Sequence, residues 1–212
     1  MNMRQKIFFI NLLPIILISL NLRAPITAIS PVVDIIKDYY HLNAALTGLL
    51  TSLPLLAFGL VSFFVSYFQP TRALFIGLIC IFVGEILRCV GESAELFIGT
   101  AIMGGGIAIA NVLLPSLVKA KFPRNIPKIM GIYSLVLNLS AALGIALILP
   151  LMMILPVPIA LGIWAILALI ALISYFPQMK NRRISRPKLK ADSKGSVFAN
   201  PNAWKIISTY QS

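Results

Sequence analysis

Leu20-Asn21-Leu22-Arg23-Ala24-Pro25-Ile26-Thr27-Ala28-Ile29-Ser30-Pro31-Val32-Val33 is the stretch on which the reading of this chain turns. Upstream of it, Ile7 to Leu22 carries no charge; Arg23 then stands alone, and the apolar run resumes as far as Val33. A run of this length predicts a membrane-spanning helix. An arginine at the bilayer centre of an isolated helix costs about 2.5 to 17 kcal/mol, depending on the reference. Pro25 and Pro31 each remove a helical hydrogen bond beyond it. Such a combination is tolerated where the helix faces protein or a watery cavity. Arg23 is therefore expected to face a solute pathway, with the other helices arranged around it.

Composition agrees with a membrane class. Of the 212 residues, 59% are hydrophobic and 11% charged, against about 25% charged in a soluble domain, and the mean hydropathy is +0.94. The apolar runs are near 20 residues long and do not alternate, which predicts helices and not a β-barrel. The expected fold is an all-α integral membrane protein with six transmembrane helices. A cleaved signal peptide at the N-terminus is the weaker reading, since the first run does not stop at a small-residue site and five more spans follow. Cys80 and Cys89 fall nine residues apart in one predicted helix, too far along its axis to bridge each other.

In chain order the predicted helices are Ile7–Val33, Ala44–Phe68, Ala73–Val90, Glu95–Val118, Ile129–Ile154 and Ile159–Phe176. Asp34 to Asn43 is expected as a polar turn, Gln69 to Arg72 as a very short link, and Lys119 to Lys128 as a basic loop. Residues 1–178 form the expected membrane domain and 179–212 a basic tail. Arg4, Lys6, Arg72, Lys119, Lys121, Arg124, Lys128 and the basic residues of the tail all fall on one side of the predicted membrane, while the opposite loops hold Lys37. The positive-inside rule then puts both termini in the cytoplasm, in a plasma or inner membrane. The tail lacks interleaved aromatics and its sign is already explained by topology, so no nucleic-acid partner is expected.

Chemistry-bearing residues are few. The single histidine, His41, lies in a loop, and no paired carboxylates, metal-ligand cluster or nucleophile–base set occurs within the spans. No catalysis, metal or cofactor is expected. A guanidinium in a low-dielectric cavity offers a planar fork of donors to an anion or polarised solute, and Asn21 and Thr27 lie within about a turn of Arg23. The alternative is a structural arginine paired to another helix or snorkelling outward. Asn111 in the fourth helix and Tyr133, Ser134, Asn138 and Ser140 in the fifth are further cavity candidates, because a polar side chain inside a membrane needs a partner. Glu85 and Arg88 stand at i, i+3 on the third helix, about 18 and 22 Å from Ala73 along its axis. They are expected either as an internal ion pair or with Glu85 as a proton-coupling group. Gly104/Ala108 and Gly106/Ala110 are small-xxx-small pairs that permit close helix approach.

A weak internal repeat connects the first and fourth helices: Asn21 followed by Ser30-Pro31-Val32-Val33, and Asn111 followed by Leu114-Pro115-Ser116-Leu117-Val118. Interrupted helices at corresponding places in two repeats point to a midplane binding site. Asn21-Leu22-Arg23-Ala24-Pro25, Thr47 through Gly59, Gly104 through Pro115 and Lys119 through Arg124 together resemble the cyanate/2-nitroimidazole transporter family of the major facilitator superfamily. The resemblance covers about Arg4 to Gln178. It implies two inverted three-helix repeats and secondary active transport of a small, often anionic solute. Three features depart from it. The link Gln69 to Arg72 lacks the glycine and acid of the superfamily's loop motif. Leu155-Pro156-Val157-Pro158 replaces a Gly-Trp-Arg approach to the sixth helix. Six helices are present where the family has twelve, with Asn200-Pro201-Asn202-Ala203-Trp204 resembling the approach to a seventh. The expected form is thus an N-terminal half-transporter. Its partners would be the lipid bilayer, a small solute and either a second six-helix half or another copy of itself; a truncated non-transporting remnant or accessory subunit is the alternative.

Overall fold

The computed structural model describes residues 3–65 and 69–179. The tail from Lys180 onward, including Asn200 to Trp204, and the side chains of Arg4 and Lys6 lie outside the described residues. Six helical segments are long and apolar enough to cross a membrane: Asn11–Tyr39, Ala44–Phe63, Pro70–Arg88, Ser93–Lys121, Ile126–Ile154 and Val157–Gln178. Among the described residues there is no strand.

The first span is broken. It consists of α1 (Met3–Asn21), α2 (Ala24–Thr27), a 3-10 turn (Ser30–Val32) and α3 (Val33–Tyr39). The sequence predicts a polar turn from Asp34; instead the helix resumes and carries Asp34, Lys37 and Asp38. Asp34 in the first turn and Lys37 in the last are each favourable to the helix dipole, and Asp38 beside Lys37 opposes it. The chain leaves this helix at His41, in the left-handed region at φ 53°. α4 follows (Ala44–Val65), then α5 (Pro70–Arg88). α5 starts three residues earlier than expected, because Pro70 fits the first helical turn, where its missing N–H is not needed. Gly91, at φ 94°, turns the chain into α6 (Ser93–Lys121). α7 (Ile126–Ile154) takes up Pro127 in its first turn. The sixth span, predicted as one run, is α8 (Val157–Gly162) and α9 (Ala165–Met179), joined by a turn at Ile163 and Trp164.

The packing obeys a simple exchange rule. The first span packs on the fifth and the second on the fourth; the third packs on the fourth and the first on the sixth; the third also packs on the sixth. Swapping spans 1, 2, 3 with 4, 5, 6 maps these five principal pairs onto themselves, while smaller contacts of the fifth span with the fourth and sixth are not mirrored. Corresponding spans run in opposite directions, so the two halves of the bundle are related as an inverted repeat.

The α5–α6 seam is the tightest. A Cβ on Gly84 would stand 2.5 Å from the Gly99 carbonyl oxygen, and one on Gly99 would stand 2.5 Å from the Gly84 carbonyl oxygen. Gly77 and Gly106 repeat this relation farther along, the Gly77 position lying 3.0 Å from the Gly106 carbonyl oxygen. The glycines thus sit in antiparallel register with backbone touching backbone. Gly104 faces the other way, where its Cβ would meet Pro54 Cα on α4 at 2.9 Å. The run Gly104-Gly105-Gly106 therefore serves two neighbours of α6 at once. Among the six spans, α4 and α7 bury the smallest share of their residues in the bundle.

Candidate functional site at the break in the first span

The break between α1 and α2 is closed by α7. An unbroken helix would bond the Ala24 amide to the Leu20 carbonyl. Here the Ala24 amide donates to Ser140 Oγ at 3.1 Å, and the Ser140 hydroxyl donates to the Leu20 carbonyl. One side chain stands between the two backbone groups and satisfies both, as burial in an apolar interior requires. Thr27 adds to the closure: its Oγ1 lies 3.0 Å from the Arg23 carbonyl oxygen and 3.2 Å from that of Ala141 on α7. Gly144, one turn beyond Ser140, lets the chains meet, since a Cβ there would stand 2.6 Å from both the Ala24 carbonyl oxygen and Thr27 Oγ1.

Arg23 sits at this break with its side chain exposed. Among the described residues no carboxylate pairs with it. Tyr133 stands seven residues before Ser140, about two turns along the face of α7 that meets the break, and its hydroxyl lies 3.2 Å from Asn111 Oδ1 of α6. α6 and α7 thus bring Tyr133 and Asn111 together, on the face of α7 that also closes the break at Arg23. Asn21 and Asn138 are placed elsewhere. Asn21 is fully buried at the end of α1, and neither atom of its amide has a hydrogen-bond partner. Asn138 is exposed and donates to the Ser134 carbonyl of its own helix at 2.9 Å. Five residues separate it from Tyr133, or about 140° around α7, so the two side chains leave different faces.

Glu85 and Arg88 are both buried in α5. The i, i+3 spacing permits an ion pair, yet neither oxygen of Glu85 has a hydrogen-bond partner. Arg88 Nη1 turns instead to the Pro25 carbonyl oxygen at 3.4 Å and to Met103 Sδ at 3.5 Å, leaving Nε and Nη2 without partners. Tyr40, just past α3, is also within electrostatic reach of Arg88; burial, with Tyr39 beside it, pushes the Tyr40 phenol up to about 12. Among the described residues no three His, Cys, Asp or Glu side chains gather as metal ligands.

Sequence reasoning grouped Ser140 with the cavity residues, whereas the structure uses it to close a helix. Gly144 and Met103 went unmarked. A signal for the first existed: Ser140 and Gly144 are four apart and form a small-xxx-small pair on one face of α7.

The sequence profile of the Major Facilitator Superfamily matches residues 15–211. The chain belongs to that superfamily. Within it, the chain is 37% identical over 198 residues to the 2-nitroimidazole transporter of Escherichia coli, covering 91% of this chain and 50% of that protein. It has the same identity, over the same length, to the uncharacterised transporter YycB of Bacillus subtilis, covering 49% of it. The cyanate transport protein CynX of Escherichia coli is 28% identical over 201 residues, covering 92% of this chain and 52% of its own. These bear out the resemblance to the cyanate/2-nitroimidazole branch. The chain spans about half the length of the curated relatives it matches. Among solved structures, the peptide transporter POT in complex with alafosfalin superposes with a TM-score of 0.68 at 17% identity, over 98% of this chain and 44% of that one. At that identity the likeness speaks to fold alone, and it places these six spans in a major facilitator architecture.

Proposed function

We propose that this chain supplies six helices of a secondary active transporter for a small anionic or polarised solute. Arg23 contacts the solute, and Tyr133 with Asn111 shapes the same wall. The observation that carries the reading is an exposed guanidinium at a broken helix, free of any described carboxylate, with a hydrogen-bonded tyrosine–asparagine pair on the face of α7 that closes the break. A charge placed so is free to bind an anion through a fork of donors, and the irregular backbone around it is of the kind tolerated where it lines a cavity. That three relatives are described as transporters, one of 2-nitroimidazole and one of cyanate, supports the class of solute.

Alternating access in this superfold sets one six-helix unit against another. The little-buried faces of α4 and α7 are the surfaces we assign to that second unit, either a separate polypeptide or another copy of this chain. Both termini are cytoplasmic on the charge pattern, in the plasma or inner membrane, with 1–178 as the membrane domain and the basic 179–212 as a cytoplasmic extension.

Uptake measured in vesicles with cyanate-sized anions and nitroimidazoles tests this. Arg23→Ala removes charge-assisted bonds of about 1.5–3 kcal/mol, so uptake at limiting solute falls roughly 12- to 140-fold. Equal, robust uptake by both forms would take Arg23 out of the solute contact. No uptake by either would favour the second reading, a non-transporting remnant or accessory subunit.

A further inference from the structure

We propose that Arg88 is a positioning residue for Arg23: its guanidinium is shared between the Pro25 carbonyl and the Glu85 carboxylate, so that a proton on Glu85 sets the shape of the break in the first span. This rests on the solute-contact reading of Arg23 only for its consequence in transport; the mechanical link stands on geometry.

The Pro25 carbonyl needs an outside donor. The Ala28 amide bonds the Ala24 carbonyl and the Ile29 amide bonds that of Ile26, so the local backbone skips Pro25. Arg88 Nη1 fills the place, through a long 3.4 Å bond. Arg88 is 1% exposed and Glu85 is not exposed at all, so water does not screen the choice between them. Both carboxylate oxygens of Glu85 are without partners, as are Nε and Nη2 of Arg88, one helical turn away. A bond from guanidinium to carboxylate is about twice as strong as one to a neutral carbonyl. Neutral Glu85 leaves Arg88 on Pro25. When Glu85 gives its proton to water, the carboxylate formed draws Arg88 toward itself. The Pro25 carbonyl is then a buried acceptor without a donor. The α2 turn loosens, and Arg23, two residues before Pro25, moves with it.

Other groups surround the pair: the Tyr40 hydroxyl, buried and without a partner, and Cys89, whose Sγ lies 3.6 Å from the Glu85 carbonyl oxygen. Tyr40 and Cys89 are the remaining titratable groups acting on Arg88. α6 presents Gly99 and Met103, and α8 presents Gly162 against the Glu85 backbone.

Hydrogen–deuterium exchange of the full chain in lipid nanodiscs reads the link directly. The peptide covering 20–29 is followed across pH 5–10, corrected for chemical exchange, in the native form, Glu85→Gln and Arg88→Ala. Native protection of this peptide falls at least tenfold as pH rises through the titration of Glu85. Glu85→Gln, isosteric and permanently neutral, stays protected throughout, and Arg88→Ala is unprotected throughout. Identical profiles for the native form and Glu85→Gln overturn the proposal, and that comparison decides it even where Arg88→Ala does not fold. Arg23→Ala keeps the native exchange profile, so failure of the solute reading shows only in uptake and failure of the Arg88 link only in exchange.

Discussion

The hydroxyl of Ser140 and the amide of Ala24 share a bond that replaces a turn of helix: the serine accepts from Ala24 at 3.1 Å and donates to the Leu20 carbonyl. α7 is therefore fastened to the first span through the backbone of the break itself. Ser140→Ala strands a buried donor and a buried acceptor together, and each stranded group costs about 1–3 kcal/mol. The thermal midpoint in detergent is expected to fall clearly, with loss of solute binding. An unchanged midpoint would mean the break holds without the hydroxyl.

Gly144→Ala tests the same seam by sterics. The added methyl group would stand 2.6 Å from the Ala24 carbonyl oxygen and 2.9 Å from Ala24 Cα. Backbone atoms cannot swing aside as a flexible side chain can, so overpacking of about 1–3 kcal/mol falls on the segment that presents Arg23. Solute affinity should drop in this variant. Gly131→Ala, on the same helix with open space around it, is the control and should bind as the native form does.

A parallel contrast applies to α5 and α6. Gly84→Ala puts a methyl group 2.5 Å from the Gly99 carbonyl oxygen and 2.7 Å from the Met103 amide nitrogen. It should shorten the half-life of the folded protein in detergent, whereas Gly48→Ala, which meets nothing within 4 Å, should not. Equal half-lives for the two would refute the backbone-contact account of this seam.

Tyr133→Phe removes one hydroxyl and its 3.2 Å contact with Asn111. A neutral hydrogen bond contributes about 0.5–1.5 kcal/mol net. Solute affinity measured by calorimetry should weaken roughly 2- to 12-fold, less than for Arg23→Ala. A loss as large as that of Arg23→Ala would show that Tyr133 itself bonds the solute.

Much of this architecture is legible in the amino-acid order, and the illegible part has one cause. Span number follows from hydrocarbon-length apolar runs, and the disturbance in the first span follows from Arg23 beside Pro25. The pairing of Gly84 with Gly99 extends the close approach expected of α6. What sequence could not give is which neighbour each helix face meets. Glu85 and Arg88 are close enough to pair along α5, yet Arg88 is turned to Pro25, sixty-three positions away. Ser140 reads as polar lining until its distance to Ala24 is known. The helical run from Val33 to Tyr39 was hidden by its charges, which suggest a loop, although Asp34 and Lys37 match the ends of a short helix. Asn111 and Tyr133 were each visible singly; their meeting across α6 and α7 depends on tertiary rotation of both helices.

The reciprocal glycines of α5 and α6 have a mechanical consequence. With carbonyls resting directly on opposing α-carbons at both Gly84/Gly99 and Gly77/Gly106, a slide of one residue in either direction would drive a side chain into main chain. The two helices therefore travel as one plank, without slip between them. Deformation inside this bundle is left to its interrupted spans, and at Arg23 the Ser140 hydroxyl stands in for the one helical bond between the Leu20 carbonyl and the Ala24 amide.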